Sequence, residues 1–129
     1  MRARSVGELE AAAATAVCRL AKEMHGCGPQ IVRSHLCGEL LVVMLDGVLS
    51  TAQRRLACCG EQARRDSLAC LRRYRAEVWQ VCDAELKAAV GEITGRSTLS
   101  RFHDFCPESG EEMLVFRLDG LPDIRPAGR

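Results

Sequence analysis

Residues 30–45, QIVRSHLCGELLVVML, contain the longest apolar run of the chain, from Leu40 to Leu45. Pro29 precedes this segment and suits the first turn of a helix, where its missing N–H needs no partner. The turn signal Asp46-Gly47 follows the segment. The apolar residues within it are Ile31, Val32, Leu36, Leu40, Leu41 and Met44. We therefore predict a helix over residues 30–45.

Helical patterns also occur on both sides of this segment. Ser5 and Glu8 have the spacing of a capping box, which predicts a first helix over residues 8–25, stopped by Gly26. Apolar residues at three- and four-residue steps indicate a long helix further along the chain. The helices predicted after residue 50 cover residues 51–64, 68–90 and 99–106. We find no internal repeat.

Together these elements predict an all-α fold, a small disulfide-stapled bundle of four to five helices. The cysteine-rich domain covers residues 1–107. Residues 108–129 contain three glycines and two prolines and are predicted to form a mobile tail. The alternative for residues 113–118 is an extended strip docked on the bundle.

The cysteines are the strongest compositional signal, because there are eight in 129 residues. No C-x-x-C occurs, which argues against zinc knuckles and thioredoxin-type redox motifs. In an oxidising compartment an even count predicts up to four disulfides. The disulfide candidates are Cys18, Cys27, Cys37, Cys58, Cys59, Cys70, Cys82 and Cys106.

The vicinal pair Cys58-Cys59 is predicted to be the junction of the bundle. Neighbouring residues on a helix point about 100° apart, so each thiol is better placed to reach a different helix than to bond its neighbour. The alternative is eight buried free thiols in a cytosolic helical protein.

The predicted location is secreted, and this inference rests on the cysteines alone. Residues 5–10 are not the apolar core of a signal peptide, so no leader is visible. The longest apolar run falls far short of the roughly 20 residues that a membrane span needs, so a membrane-spanning protein is not expected. The net charge of +1 gives no bulk preference for nucleic acid.

From Cys27 onward the cysteines follow the pattern C-x9-C-x20-CC-x10-C and close at Cys106 after Phe105. A Glu-plus-aliphatic run, residues 39–45, follows the second cysteine. This pattern resembles the plant prolamin-like domain of egg-cell-secreted, gametogenesis-related cysteine-rich proteins, over residues 27–106. The chain departs from that family at Leu71-Arg72, where the family has Trp-Pro.

The resemblance implies a secreted binding or signalling protein in plant reproduction, acting on a protein receptor or other cell-surface partner. Loops 47–51 and 91–98 are the first candidates for recognition. A lipid carrier and a hydrolase inhibitor of the same superfamily are the alternatives. The carrier alternative predicts an apolar cavity lined by Leu40, Met44, Val78, Val81 and Leu86. A shorter similarity of residues 35–38 to an insulin-type B chain lacks the second cysteine, since Leu49 stands there.

The sequence offers no nucleophile–base–orienter set, phosphate-cradling glycine loop or paired catalytic carboxylates, so we predict neither catalysis nor a cofactor. His25, His35 and His103, each near a cysteine, suggest zinc as an alternative that requires free thiols. Trp79 is expected to be a core or rim residue. Basic residues form a cluster that is either a solvated helix face or a site for an anionic partner: Arg54, Arg55, Arg64, Arg65, Arg72, Arg73 and Arg75.

Overall fold

The computed structural model describes residues 3–57 and 60–126 and has both helices and strands. None of the helices in these ranges is long and apolar enough to cross a membrane. The prediction of an all-α fold is therefore wrong. The elements are α1 (Val6–His25), β1 (Ile31–Cys37), β2 (Leu40–Asp46), α2 (Thr51–Ala57), α3 (Glu61–Val81), α4 (Asp83–Thr94), β3 (Thr98–Cys106) and β4 (Glu111–Leu118).

The four strands form one antiparallel sheet in the order β1-β2-β4-β3. Helix α1 packs on β1 and against α4, and α3 packs on α2 and β3. The helices therefore cover one face of the sheet. The other face has no described element packed against it, and we call it the open face.

The segment predicted as a helix over residues 30–45 is the hairpin β1–β2. In β2 the side chains of Leu41, Val43 and Leu45 are fully buried, whereas those between them are half-exposed, which is the two-residue period of a strand. Gly38 turns the hairpin with a positive φ of 60°, which glycine adopts without strain. An apolar run rich in valine is compatible with the period of a helix and with the period of a strand. Pairing with β4 selects the strand.

Strands β3 and β4 lie where a helix and a mobile tail were predicted. Residues 99–106, predicted as a helix, lie in β3, and residues predicted to be mobile form β4. Strand β4 is central, because it pairs with β2 on one side and β3 on the other. Its alternate residues from Glu112 to Leu118 are buried against the helices. The extended alternative for residues 113–118 is closer to the structure than the tail.

The helices agree better with the sequence. The Ser5 hydroxyl accepts a hydrogen bond from the Glu8 N–H at 3.2 Å, and Gly26 caps the other end of α1 with a φ of 79°. The prediction that Ser5 caps the start of α1 is confirmed. The helix predicted over residues 68–90 is divided at Cys82 into α3 and α4. The vicinal pair Cys58-Cys59 lies outside the described residues.

The topology also reveals an internal repeat that the sequence reading missed. Each half of the chain has a helix followed by a hairpin, and the inner strands share the motif L-V-x-x-L-D-G at residues 41–47 and 114–120. The preceding helices share E-L-x-A-A at residues 8–12 and 85–89. Val42 pairs with Val115 at the centre of the sheet, so the two αββ halves are related by a pseudo-two-fold axis. The insertion of α2 and α3 between the halves obscures the repeat.

The repeat predicts that Leu9 in α1 and Leu86 in α4, each 1% exposed, contribute similarly to the core. We expect Leu9→Ala and Leu86→Ala each to lower the free energy of unfolding by about 2–5 kcal/mol, because each leaves a cavity. Urea denaturation measures both values. Val81→Ala is the control, since Val81 is 76% exposed, and it should change the value by less than about 0.5 kcal/mol. A large loss in one leucine variant alone would contradict the equivalence.

Candidate functional site

A charged pair is buried where α3 crosses the second hairpin. Arg75 of α3 is 3% exposed and Glu112 of β4 is 1% exposed. The Nε and Nη2 atoms of Arg75 donate to the two carboxylate oxygens of Glu112, each at 2.8 Å. This fork-to-fork geometry is the strongest arrangement of a guanidinium and a carboxylate.

Two histidines complete this buried charge cluster, which consists of Arg75, Glu112, His25 and His103. His103 Nε2 of β3 lies 2.7 Å from Glu112 Oε2, and His25 Nε2 at the end of α1 lies 3.4 Å from Arg75 Nη2. The guanidinium carbon of Arg75 lies 5.6 Å from the Phe105 ring centroid, within the range of a cation–π contact. The cluster joins α1, α3, β3 and β4.

The surroundings shift the pKa values of two members of the cluster. Burial by itself would raise the pKa of Glu112, but hydrogen bonds and charge from His103 and Arg75 outweigh it and hold the pKa below its ordinary value. Burial lowers the pKa of His25, and the nearby Arg75 cation lowers it further. The folded protein therefore favours ionised Glu112 and neutral His25.

The cluster is better suited to holding elements together than to chemistry. Both carboxylate oxygens of Glu112 already have partners, so the group has little capacity left as a general base. Hard cations prefer several oxygen ligands, whereas this carboxylate faces a guanidinium and an imidazole. Within residues 3–57 and 60–126, no three histidine, cysteine or acidic side chains come together as a metal site. His35 lies apart, exposed on β1.

The cysteines do not staple the fold in the part of the chain that the structure describes. Cys18, Cys27, Cys37, Cys70, Cys82 and Cys106 are all free thiols there. The prediction of a disulfide-stapled bundle is wrong, because packing of helices on the sheet closes the core instead. Cys37 and Cys106 end β1 and β3, the two opposite edge strands. Cys82 is buried, and burial raises the pKa of its thiol.

The predicted basic cluster does not form a single positive face. Arg75 turns inward to Glu112, and three others form ion pairs: Arg64 with Glu108, Arg65 with Glu61, and Arg72 with Asp104. Exposed pairs of this kind contribute little to stability, but they reduce the local excess of positive charge. Trp79 is fully buried, as the core alternative predicted.

The residues predicted to line a lipid cavity are not brought together. Leu40 and Met44 lie on the open face. Leu86 is a buried residue of α4, whereas Val81 is exposed to solvent. The predicted recognition loop at residues 47–51 borders a cavity of about 610 Å³. Acidic and basic side chains, including Asp46, Arg54 and Glu108, share its walls. Most of the other predicted loop belongs to α4 and β3.

The open face was not predicted from the sequence. Its centre is apolar, with the cross-strand pairs Val42–Val115 and Met44–Met113 and with Phe102 beside Val115. Phe102 is 59% exposed and Met113 37% exposed, although both belong to regular strands. The residues between the helix-facing ones in the inner strands, such as Val42, Met44 and Val115, are also apolar. Once the strands are recognised, this is the signal that could have revealed the open face.

Removing one partner of the buried pair should be costly. We expect Glu112→Gln to lower the free energy of unfolding by about 3–5 kcal/mol, because it leaves Arg75 buried without a counter-charge. The double variant Arg75→Met/Glu112→Leu should be within about 1 kcal/mol of wild type or more stable, since no unpaired charge remains. Urea denaturation measures both. Glu61→Gln, in an exposed pair, is the control and should cost less than about 1 kcal/mol. Equal losses in the single and double variants would contradict this account.

The lowered pKa of His25 predicts acid sensitivity. The unfolded chain binds a proton at His25 near the ordinary pKa of 6.5, whereas the folded chain does so only at lower pH. The free energy of unfolding should therefore fall as the pH decreases below 6.5 towards the folded pKa, and Glu112 adds a further loss below 4.5. Denaturation at about pH 7.5 and about pH 5.5 measures the first loss. His25→Gln should reduce this loss, and His35→Gln should not. An unchanged loss in His25→Gln would refute the assignment.

Comparison with known proteins places this geometry in a family. Residues 5–120 match the family described as "MpsC: Na+-translocating membrane potential-generating system (MpsC)". The chain is also 24% identical over 115 residues to "Uncharacterized protein YbcI" of Bacillus subtilis (strain 168), a match that covers 89% of each chain. No solved structure matches the chain.

These matches overturn the plant prolamin-like resemblance and the functions that it implied: reproductive signalling, lipid carriage and hydrolase inhibition. The cysteine spacing was misleading because the six described cysteines are free thiols, so their spacing records no disulfide framework. The secreted location and the absence of catalysis stay predictions. The family match extends from the cap of α1 to the residues just after β4. The chain belongs to the MpsC family.

Proposed function

We propose that this chain is a non-catalytic component of a Na+-translocating membrane potential-generating system. The observation that carries the proposal is the family match over residues 5–120, which includes all eight described helices and strands. The match therefore concerns the whole folded unit and not a shared local motif. The family description names the system to which we assign the chain. The residues of the chain itself limit what it can do within that system.

The buried charge cluster supports a function in which this chain does not itself bind the transported ion. Glu112 is the buried carboxylate among the described residues, and Arg75 already neutralises it through two hydrogen bonds. A sodium ion at this position would lie beside a guanidinium and would be repelled by it. The cluster then serves to fix α3 against the second hairpin. The residues that carry out the proposed function lie on the surface of the folded unit.

A cell-based measurement tests this proposal. The membrane potential is measured with a voltage-sensitive dye in cells that lack the gene for this chain, in media containing either sodium or potassium at equal ionic strength. We expect a lower potential than in the parent cells in the sodium medium, no difference in the potassium medium, and recovery when the full chain is supplied. Equal potentials with and without the chain in both media would overturn the proposal.

The double variant Arg75→Met/Glu112→Leu separates a structural cluster from an ion-binding one. If the cluster only holds the fold, this variant should restore the potential as well as wild type does, because it replaces the pair with apolar side chains. Glu112→Gln is the matched comparison and should restore it less well, because of lost stability. A folded double variant that fails to restore the potential would show that the charges themselves take part in the function.

A further inference from the structure

We propose that the cavity between one end of the sheet and the inserted helices α2 and α3 binds a zwitterion with an apolar body, either an apolar α-amino acid or a short apolar peptide. We call this cavity the sheet-end cavity. Its volume is about 610 Å³, within the range of about 300–1,000 Å³ that is usual for small-molecule sites. The inference is independent of the proposed function and rests on the side chains of the cavity walls.

The cavity forms where the insertion meets the sheet. On the sheet side, the Val48 N–H donates to the Gly110 carbonyl at 3.3 Å, which joins the segment after β2 to the turn before β4. On the other side, Ser50 and Gln53 cap the start of α2 reciprocally, at 2.9 and 3.1 Å. This cap fixes the first turn of α2 and so places Arg54 in the cavity wall.

Part of the wall is apolar. Leu49 is 7% exposed, Leu68 is half-buried and Pro107 is buried, and all three line the cavity. These side chains come from three separate segments and leave a space between them that no described side chain fills. An apolar ligand body that contacts them removes apolar surface from water, which favours binding.

Four charged side chains also line the cavity: Asp46, Arg54, Arg64 and Glu108. Arg64 and Glu108 form an ion pair with each other at 3.7 Å. Among the residues that the structure describes, Arg54 has no carboxylate within 4 Å and Asp46 has no cation within 4 Å. The Asp46 carboxylate accepts only the neutral N–H of Gly47, at 2.8 Å. Two uncompensated charges of opposite sign therefore border the same cavity.

The charged groups on the open face do not alter this balance. Asp46 also borders a smaller cavity there, of about 170 Å³, together with Arg33, His35 and Glu111. None of these three side chains lines the sheet-end cavity, and neither base forms an ion pair with Asp46. Asp46 is therefore available to a cation in the larger cavity.

The internal repeat offers a comparison for this acidic turn. In the second half of the chain, the D-G turn is covered by a cation of the chain itself, because a Cβ atom on Gly120 would lie 3.3 Å from the Arg96 guanidinium. In the first half, a Cβ atom on Gly47 would lie 2.6 Å from the neutral amide oxygen of Gln30. The first turn therefore has no cation of its own, and an ammonium group of a ligand can take that place beside Asp46.

These walls select the chemical class of the ligand. An ammonium group pairs with Asp46, a carboxylate pairs with the planar guanidinium of Arg54, and an apolar body contacts the leucines and the proline. A simple anion or a simple cation would engage only one of the two charges. Free amino acids and short peptides both carry an ammonium, a carboxylate and an apolar body, and they differ in length.

Isothermal titration calorimetry of the full chain with leucine and with trileucine tests the proposal. We expect one of them to bind, and the one that binds more tightly identifies the length of the ligand. Asp46→Asn and Arg54→Gln should each weaken this binding at least about tenfold, because each removes a charged partner. Arg73→Gln and Glu77→Gln, on the exposed surface of α3, make the same changes in net charge and should bind as wild type does.

Blocking one end of the ligand assigns each charge to its partner. An N-acetylated ligand has no ammonium, so Asp46→Asn should bind it as wild type does, which also demonstrates that this variant is folded. A ligand with a carboxamide in place of its carboxylate should likewise not distinguish Arg54→Gln from wild type. Absence of binding of both leucine and trileucine at millimolar concentrations would overturn the proposal. Cavity variants that bind as wild type does, or control variants that lose as much affinity as they do, would also overturn it.

Discussion

The pairing of β2 with β4 is the interaction on which the rest of the structure depends. It joins the two αββ halves at Val42 and Val115 and so converts two separate hairpins into one four-stranded sheet. A two-stranded hairpin alone is marginally stable, whereas four strands with a buried face can hold a core. Because side chains alternate across a strand, this one register also decides which residues meet the helices and which form the open face.

The buried charge cluster places the inserted helices against this sheet. Glu112 occupies a position in β4 where the alternation calls for an apolar side chain, and Leu45 lies opposite it in β2. A carboxylate there is acceptable only because Arg75 supplies two hydrogen bonds and a positive charge, and because His103 lies within hydrogen-bonding distance. A buried ion pair adds little net stability compared with apolar side chains, but a wrong placement of α3 would leave both charges unpaired. The pair therefore restricts how α3 can lie on the second hairpin.

Sequence reasoning predicted the helices better than the sheet, for physical reasons. The cap at Ser5 is a local signal, and α1 begins at Val6, directly after it and two residues before the predicted start. The run from Leu40 to Leu45 is apolar on both faces, so its period is decided by a partner strand about seventy residues away, which no local pattern reveals. Glu112 looks like a solvent-exposed tail residue until Arg75, 37 positions earlier, is placed beside it. The repeated L-V-x-x-L-D-G motif was the available signal for both inner strands. The cysteine count pointed elsewhere, because free thiols and disulfides look alike in a sequence.

The two L-V-x-x-L-D-G segments are the adjacent inner strands of one sheet, and the rest of the fold follows from this pairing. Nuclear Overhauser effects between backbone protons of the full chain test this most directly, since antiparallel partners lie about 4.5–5.5 Å apart at Cα. We expect cross-strand effects between residues 41–43 and residues 114–116, centred on Val42 and Val115. Effects between residues three apart within 30–45, without cross-strand partners, would indicate a helix there and would contradict the fold.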